Sequence, residues 1–200
     1  MNQPSDSTIR YYDDHANQYA QETVGIEMQS LYAPFLELVP SGGRILDAGC
    51  GSGRDSEEFK DRGFVVTAID ASKEMANHAS RLLGSPVIVM RFQEMEFVSE
   101  FDGIWACASL LHVPQHEIDE VLVRLICALK LGGVCFLSFK VGDSERQLEG
   151  RHFTDFDLES LGWLLALHSN LELVRLWTTG DVRPRPQPVP WANALVRRIK

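Results

Sequence analysis

Eleven residues from Ile45 to Asp55 constrain the fold more than any other part of the chain. They form an apolar run that leads into a loop with glycine at every second position, Gly49, Gly51 and Gly53. Glycine tolerates the backbone angles of tight turns, and a loop without β-carbons lets the backbone approach a ligand closely. The segment therefore predicts a buried strand, a ligand-binding loop and then a helix.

The spacing of these glycines excludes two common nucleotide-binding loops. The phosphate loop of nucleotide hydrolases ends in Gly-Lys-Ser or Gly-Lys-Thr, which this segment lacks. The dinucleotide fingerprint places glycine at its first, third and sixth positions, but the sixth position counted from Gly49 is Arg54. The spacing is instead acidic-x-Gly-x-Gly-x-Gly, from Asp47 to Gly53.

A second acidic residue, Asp70, ends the β-branched run that follows the predicted helix. An acidic side chain at the end of the second strand of a βαβ unit can accept hydrogen bonds from ribose hydroxyls. Taken alone, Asp70 would more often be a strand-end turn residue, or lead into a helix cap at Ser72. Its distance from the glycine loop favours a nucleoside ligand.

Strand and helix patterns alternate along the chain. We expect strands at Arg44–Ala48, Val65–Ile69, Val87–Phe92, Gly103–Ala108, Val134–Lys140, Glu172–Thr178 and Trp191–Arg197. Helices are expected at Arg54–Arg62, Lys73–Leu83, His116–Lys130 and Asp155–Ser169, with Gly132-Gly133 ending the third of these and two more helices within Ser7–Val39.

This order predicts an α/β fold, a Rossmann-like doubly wound sheet of seven strands with helices on both faces. The last two strands have no helix between them, so the last strand should be antiparallel. We expect one domain over residues 1–200, with a helical lid at 1–40 and an α/β core at 44–200.

Composition and charge exclude several classes of function. A net charge of -9 argues against a nucleic-acid partner, and no apolar run approaches the ~20 residues of a membrane span. The four cysteines have no Cys-x-x-Cys spacing, and the histidines have no ligand spacing, so we expect reduced thiols and no metal. These features predict a cytoplasmic protein without a membrane partner.

The acidic-x-Gly-x-Gly-x-Gly loop resembles motif I of the class I S-adenosylmethionine (SAM) methyltransferases. Asp70, the Leu111-His112-Val113 segment and the Leu129–Gly133 turn are similar to that family as well, and so is an antiparallel last strand. More narrowly, Gly53–Ser56 and Ala68–Ser72 resemble small bacterial methyltransferases of the tellurite-resistance type. The resemblance implies SAM as cofactor and S-adenosylhomocysteine as product.

Residues at the carboxyl ends of the strands are the candidates for cofactor contacts, because ligands of open α/β sheets bind there. The resemblance also implies a polar contact to the adenine from Gln93 or Glu94. Small residues after the fourth strand would let backbone carbonyls meet the methionyl ammonium, with Asp47 adding a carboxylate. The cofactor residues we expect are Asp47, Gly49, Cys50, Gly51, Gly53, Arg54, Asp70, Ala71, Ser72, Met75, Phe92, Gln93, Glu94, Ala106 and Ser109.

The predicted catalytic residues are His112, Lys140 and Tyr12. His112 follows a strand end, where it acts as a general base or only lines the site. Expected substrate contacts are Tyr11, Tyr19, Arg151 and Arg183. The tyrosines either close over the pocket or are ordinary residues of an amphipathic helix.

A set of cations, Lys140, Arg146, Arg151, Arg183 and Arg185, follows strand ends at the same predicted edge. They indicate an anionic acceptor, or they pair locally with interleaved carboxylates. The sequence thus predicts a SAM-dependent methyltransferase acting on a small anionic molecule, as a monomer or homodimer. A SAM-binding protein without turnover is the alternative.

Overall fold

A seven-stranded mixed sheet with helices on both faces organises the protein. The computed structural model describes residues 4–181 and 188–200. Within this part of the chain the sheet order is β3-β2-β1-β4-β5-β9-β8, and a separate two-stranded sheet pairs β6 with β7. β1 to β5 run parallel, whereas β9 is antiparallel to both neighbours, β5 and β8. The doubly wound fold predicted from the sequence is confirmed.

The helices are α1 (Pro4–Thr23), α2 (Gln29–Leu36), α3 (Arg54–Asp61), α4 (Lys73–Leu83), α5 (Gln115–Ala128) and α6 (Leu158–Ala166). The strands are β1 (Arg44–Ala48), β2 (Val65–Asp70), β3 (Ile88–Val89), β4 (Phe101–Ala106), β5 (Leu129–Lys140), β6 (Glu145–Leu148), β7 (Arg151–Thr154), β8 (Leu171–Thr179) and β9 (Trp191–Arg198). No helix in the described ranges is long and apolar enough to cross a membrane.

Several predicted boundaries are wrong for identifiable reasons. β3 ends at Val89, because a single 3-10 turn at Phe92–Glu94 follows it. β4 ends at Ala106, two residues before Ala108 takes a left-handed conformation with φ of 53°. α5 ends at Ala128, so Gly132-Gly133 does not end it and lies inside β5.

Helix α6 is also shorter than predicted. It begins after Asp157, whose side chain accepts the backbone N–H of Ser160 at 2.7 Å as a helix cap. It ends at Ala166, three residues before Ser169.

The hairpin of β6 and β7 was predicted as a loop. Its two-residue turn consists of Glu149 and Gly150, with φ of 52° and 79°. Two-residue hairpins that need positive φ at both positions favour Asn-Gly or Asp-Gly. Glu-Gly lacks the first residue of that signal, so these residues do not predict a turn.

The sheet divides the core into two layers because neighbouring strand residues point to opposite faces. One face carries an aromatic cluster beneath α2 and α3, formed by Tyr32, Phe35, Phe59, Trp105 and Phe136. In this cluster the rings of Trp105 and Phe136 stack with centroids 4.1 Å apart. The opposite face packs against α5 and α6 through a larger, mainly aliphatic cluster. These layers fix the carboxyl ends of β1, β2 and β4 at one edge.

We expect Phe35→Ala to lower the free energy of unfolding by about 3–5 kcal/mol, the usual cost of removing a buried phenylalanine. Phe35 is fully buried against Phe59 and Trp105. Trp163→Ala is the matched control, because Trp163 is 72% exposed and its loss should change stability by less than about 0.5 kcal/mol. Urea denaturation of both variants measures the difference. Equal effects would contradict the packing described for α2.

Candidate active site

The glycine loop is held against the ends of β2 and β4. The N–H of Gly49 donates to the carbonyl of Ile69 at 2.9 Å. Gly49 has a φ of 81°, and a β-carbon at this position would lie 2.5 Å from Cβ of Ser109. Only glycine fits here, so no side chain at this position separates the loop backbone from the cavity that it lines.

Asp70 joins the glycine loop to the start of α4. Its Oδ2 accepts the N–H of Gly51 and its Oδ1 accepts the N–H of Ser72, each at 2.8 Å. Burial raises the pKa of Asp70 to about 6, the two N–H bonds oppose this, and the nearby Asp13 adds to it. Each carboxylate oxygen keeps a further lone pair for a ligand hydroxyl.

The acidic residue of the glycine motif, Asp47, lies beneath the loop rather than on the cavity. It is 2% exposed, and its Oδ2 accepts the hydroxyl of Ser56 at 2.6 Å. Burial raises the pKa of Asp47 well above its ordinary value, and the neighbouring charge of Asp55 adds to this. The hydrogen bond between Asp47 and Ser56 joins the end of β1 to α3 beneath the loop.

Asp55, whose negative charge acts on Asp47, lies at the centre of a hydrogen-bond network. Its carboxylate accepts Nε and Nη2 of Arg54 at 2.6 and 2.9 Å, the Tyr32 hydroxyl at 2.5 Å and Nε1 of Trp105 at 2.8 Å. Burial alone would raise the pKa of Asp55, but the Arg54 charge and these hydrogen bonds lower it below the ordinary value. The arrangement fixes the beginning of α3, where the loop ends.

A cavity of about 390 Å³ lies above the carboxyl ends of the strands. Eleven of the expected cofactor residues line it: Gly49, Cys50, Gly51, Arg54, Asp70, Ala71, Ser72, Met75, Phe92, Gln93 and Ser109. Four others lie outside its lining: Asp47, Gly53, Glu94 and Ala106. Gly53 instead faces α4, where a β-carbon would lie 3.0 Å from Cβ of Ala79.

The segment after β3 distinguishes the two candidates for an adenine contact. Glu94 caps its own 3-10 turn, because its Oε2 accepts the N–H of Arg91 at 2.9 Å. Gln93 lines the cavity and donates its Nε2 to Oε2 of Glu117 at 2.5 Å. This bond leaves the Gln93 carbonyl oxygen for a ligand amino group.

Tyr12 and His112 form a hydrogen-bonded pair at the cavity wall. The Tyr12 hydroxyl lies 2.9 Å from Nε2 of His112, and Nδ1 of His112 lies 2.6 Å from the carbonyl of His152. A carbonyl only accepts, so Nδ1 carries the hydrogen and Nε2 accepts the Tyr12 hydroxyl. Burial lowers the pKa of His112 to about 4 and raises that of Tyr12 above its usual range, so both are neutral at pH 7.

The five cations predicted at the carboxyl edge of the sheet are called the rim cations here. Three of them line the cavity, and each has a carboxylate partner. Lys140 pairs with Asp181 at 2.7 Å, Arg146 with Asp155 at 2.5 Å, and Arg151 with Glu149 at 2.6 Å. Arg183 and Arg185 lie outside the described residues. Lys140, Arg146 and Arg151 therefore line the cavity and also pair with local carboxylates.

Helix α1 lies across the cavity. Tyr12 and Tyr19 line it, whereas Tyr11 lies outside the lining and stacks on Arg151, whose guanidinium carbon is 4.3 Å from the ring centroid. Asp13, which the sequence analysis missed, ties α1 to α4 by accepting the Ser72 hydroxyl at 2.6 Å. No local pattern indicated Asp13, because its partner is 59 residues away.

The sequence from residue 45 to 133 matches the family described as a methyltransferase domain. Among curated relatives, the chain is 32% identical over 117 residues to the methyltransferase YqeM of Bacillus subtilis, covering 52% of this chain and 47% of the relative. It is 39% identical over 110 residues to a ubiquinone biosynthesis O-methyltransferase of Xanthomonas axonopodis, covering 50% of this chain and 44% of the relative. The chain therefore spans about half the length of these relatives.

Solved structures share the fold across nearly the whole chain. The 1,6-didemethyltoxoflavin-N1-methyltransferase of Burkholderia thailandensis, with bound S-adenosylhomocysteine, has a TM-score of 0.76 at 22% identity and covers 96% of this chain and 85% of that one. The magnesium protoporphyrin IX methyltransferase of Synechocystis, with bound SAM, has a TM-score of 0.73 at 15% identity and covers 99% and 98%.

The matched segment includes the glycine loop, Asp70 and the His112 segment. Residues 45–133 therefore match a methyltransferase domain, and the described chain has the fold of methyltransferases whose structures hold SAM or S-adenosylhomocysteine.

Proposed function

We propose that this chain transfers a methyl group from SAM to a small anionic acceptor. One observation supports this most: a single cavity joins the glycine loop and Asp70 to a chamber lined by Tyr12, His112 and Arg151. A cofactor at one end and an acceptor at the other would meet within it. The subgroup resemblance noted in the sequence adds chalcogen oxyanions to the acceptors worth testing.

The residues at the cofactor end fit a nucleoside. The missing β-carbon at Gly49 leaves room for close backbone approach, and Asp70 offers two acceptor oxygens for the ribose hydroxyls. Gln93 offers its carbonyl oxygen to the adenine amino group, and Phe92 lines the same wall. We assign Asp47 and Gly53 to holding the loop, and Glu94 to capping its turn.

We propose that the methionyl group of SAM lies beside the segment that follows β4. Ser109 donates its hydroxyl to the carbonyl of Ala48 at 2.7 Å and so ties this segment to the end of β1. Ala108 adopts a φ of 53°, and its N–H donates to the Ser138 hydroxyl at 2.7 Å. This bend places backbone groups at the cavity edge, where we propose that they meet the ammonium group.

The acceptor chamber combines positive charge with aromatic surface. The Arg146 and Arg151 guanidinium carbons lie 4.5 and 5.3 Å from the ring centroid of Phe153. Arginine binds carboxylates and phosphates through two parallel hydrogen bonds. An anionic group of the acceptor would be held by these guanidinium groups while its apolar part contacts the rings.

Positioning accounts for most of the expected rate enhancement. The sulfonium of bound SAM supplies an activated methyl group and a good leaving group, so alignment can contribute roughly 7–11 kcal/mol. His112 is neutral and accepts the Tyr12 hydroxyl, so we assign this pair to orienting the acceptor. A histidine with so low a pKa is a weak base at pH 7.

Lys140 lies at the far end of the cavity, with Nζ 3.8 Å from the ring centroid of Trp191. Its partner Asp181 is buried, so removing the Lys140 charge would break a buried ion pair. We propose that Lys140 adds positive potential to the chamber, but its substitution would disturb folding as well as activity.

Two similar proteins act on acceptors of different chemistry. The Xanthomonas relative is named for ubiquinone biosynthesis, and a Haemonchus contortus N-methyltransferase of similar fold binds phosphomonomethylethanolamine, which carries a phosphate. The second has a TM-score of 0.75 at 16% identity. A class I fold thus accommodates anionic acceptors, and the rim arginines favour that class here.

We expect Asp70→Ala to weaken SAM binding by about 1.5–3 kcal/mol, because hydrogen bonds to a charged group have that magnitude. Isothermal titration calorimetry with SAM, S-adenosylhomocysteine and NAD gives the measurement, and NAD should not bind. Asp61→Ala, which removes an exposed carboxylate at the end of α3, is the control. Unchanged affinity in a folded Asp70→Ala variant would overturn the ribose assignment.

SAM affinity should fall as the pH drops through about 6. Burial raises the pKa of Asp70 to about 6, and the ionised carboxylate is the form that accepts both hydroxyls. Below that pH, protonation competes with binding, and affinity should fall up to about tenfold per pH unit. Titrations between pH 5 and 7.5 test this. Asp70→Asn should bind more weakly with a flat pH profile, and a pH-dependent profile in that variant would assign the titration to another group.

Turnover of SAM to S-adenosylhomocysteine with a panel of carboxylates, phosphates and chalcogen oxyanions tests the proposed function. We expect at least one anionic compound to support turnover, and Arg151→Gln to raise its KM with SAM affinity unchanged. Loss of one charge-assisted hydrogen bond corresponds to about a tenfold change or more. Turnover only with uncharged acceptors would contradict the anionic assignment, and SAM binding without any turnover would favour a binding protein.

A further inference from the structure

Arg151 differs from the other two described rim cations in the partner it uses. The carboxylates of Asp155 and Asp181 are buried, with side chains 6% and 1% exposed, whereas Glu149 is 64% exposed. Releasing a buried carboxylate from its cation is costly, but an exposed one returns to water at little cost. Of the three ion pairs, that of Arg151 and Glu149 is therefore the one that can exchange.

The position of Arg151 makes such an exchange relevant to the site. Arg151 is 8% exposed, lines the cavity, and lies between the rings of Tyr11 and Phe153. Its Nη2 donates to Glu149 at 2.6 Å, and its Nε is buried without a hydrogen-bond partner. A guanidinium with a donor left unsatisfied still has capacity for a second acceptor oxygen.

The turn that carries Glu149 holds its carboxylate beside Arg151 at a cost in backbone energy. Glu149 has a φ of 52°, a left-handed conformation that favours glycine and is unusual for glutamate. Leu148 and Arg151 pair across the hairpin, so the two-residue turn brings the side chains of Glu149 and Arg151 together. Glycine would suit this backbone better but would provide no carboxylate.

We propose that Glu149 is an internal stand-in for the anionic group of the acceptor, and that an incoming carboxylate or phosphate displaces it from Arg151. This inference rests on the proposed function and names the residue that selects the acceptor's charge. The Glu149–Arg151 bond breaks, the acceptor's oxygens take its place, and Glu149 moves into solvent.

The exchange would favour anionic acceptors over neutral ones. An anion that displaces Glu149 replaces one charge-assisted contact by another, so the net cost is small. A neutral molecule that displaces it leaves the buried guanidinium without a counter-charge, which is strongly unfavourable. The ion pair therefore raises selectivity against uncharged acceptors while it lowers the affinity for charged ones.

The test measures anion binding to the protein saturated with S-adenosylhomocysteine. Benzoate and inorganic phosphate are the probes, and benzamide is the neutral isostere of benzoate. Glu149→Gln should bind both anions about two- to fivefold more tightly than the unaltered protein, the range expected from removing an exposed competing carboxylate. Glu149→Gly, which suits the left-handed backbone, should give the same gain.

Glu172→Gln is the matched control. Glu172 is also an exposed carboxylate, 3.5 Å from Arg197 in strand β9, and its loss changes the net charge equally. Its partner Arg197 does not line the cavity, whereas Arg151 does, so the Glu172→Gln variant should bind both anions with the affinity of the unaltered protein. Arg151→Gln should abolish the preference for benzoate over benzamide.

Unchanged or weaker anion binding in both Glu149 variants would overturn the proposal, and so would an equal gain in the Glu172→Gln control. Failure of both anions to bind Glu149→Gln would overturn it too. The same titrations report the affinity for S-adenosylhomocysteine, which should be unaffected by Glu149. A protein that fails to bind S-adenosylhomocysteine at all would contradict the proposed function itself. The titrations therefore distinguish failure of the proposed function from failure of the Glu149 exchange.

Discussion

The buried carboxylate of Asp55 is the contact on which the rest of the architecture depends. It accepts hydrogen bonds from Arg54 in α3, Tyr32 in α2 and Trp105 in β4, and so joins both helices to the centre of the sheet. Removing one partner of a buried ion pair costs about 3–5 kcal/mol. The contact therefore fixes where α3 begins, and with it the end of the glycine loop. Asp47 lies beneath the loop, where its Oδ2 accepts the hydroxyl of Ser56 in α3.

The position of the loop determines what the carboxyl edge of the sheet can bind. The Asp70 carboxylate accepts one backbone hydrogen bond from Gly51 and one from Ser72. The carboxylate that shapes the pocket therefore also presents acceptor oxygens to a ligand in the pocket. Helix α1 closes the opposite side through Tyr12, which bonds His112. The hairpin of β6 and β7 brings Arg151 to the end of the cavity that we propose for the acceptor. The glycine loop, Asp70, α1 and this hairpin all line or border one cavity, so the proposed cofactor and acceptor ends are continuous.

Short-range patterns made part of this arrangement predictable. Glycine at alternate positions and an acidic residue at a strand end carry their physical meaning within a few residues, so the loop and Asp70 were identified from the sequence. The partners of Asp55 were not, since Tyr32 and Trp105 lie 23 and 50 residues away along the chain. The hairpin could not be predicted because Glu149 occupies a turn position where glycine or asparagine is the usual signal. The ion pair of Glu149 with Arg151 is visible only in the folded structure.

Structure determination of the complex with S-adenosylhomocysteine tests the central claim most directly, because it shows where the nucleoside lies. The account predicts both ribose hydroxyls within hydrogen-bond distance of the Asp70 carboxylate, the adenine amino group near the Gln93 carbonyl oxygen, and the sulfur directed toward Tyr12 and His112. Ligand bound away from the glycine loop, or a ribose without contact to Asp70, would contradict it.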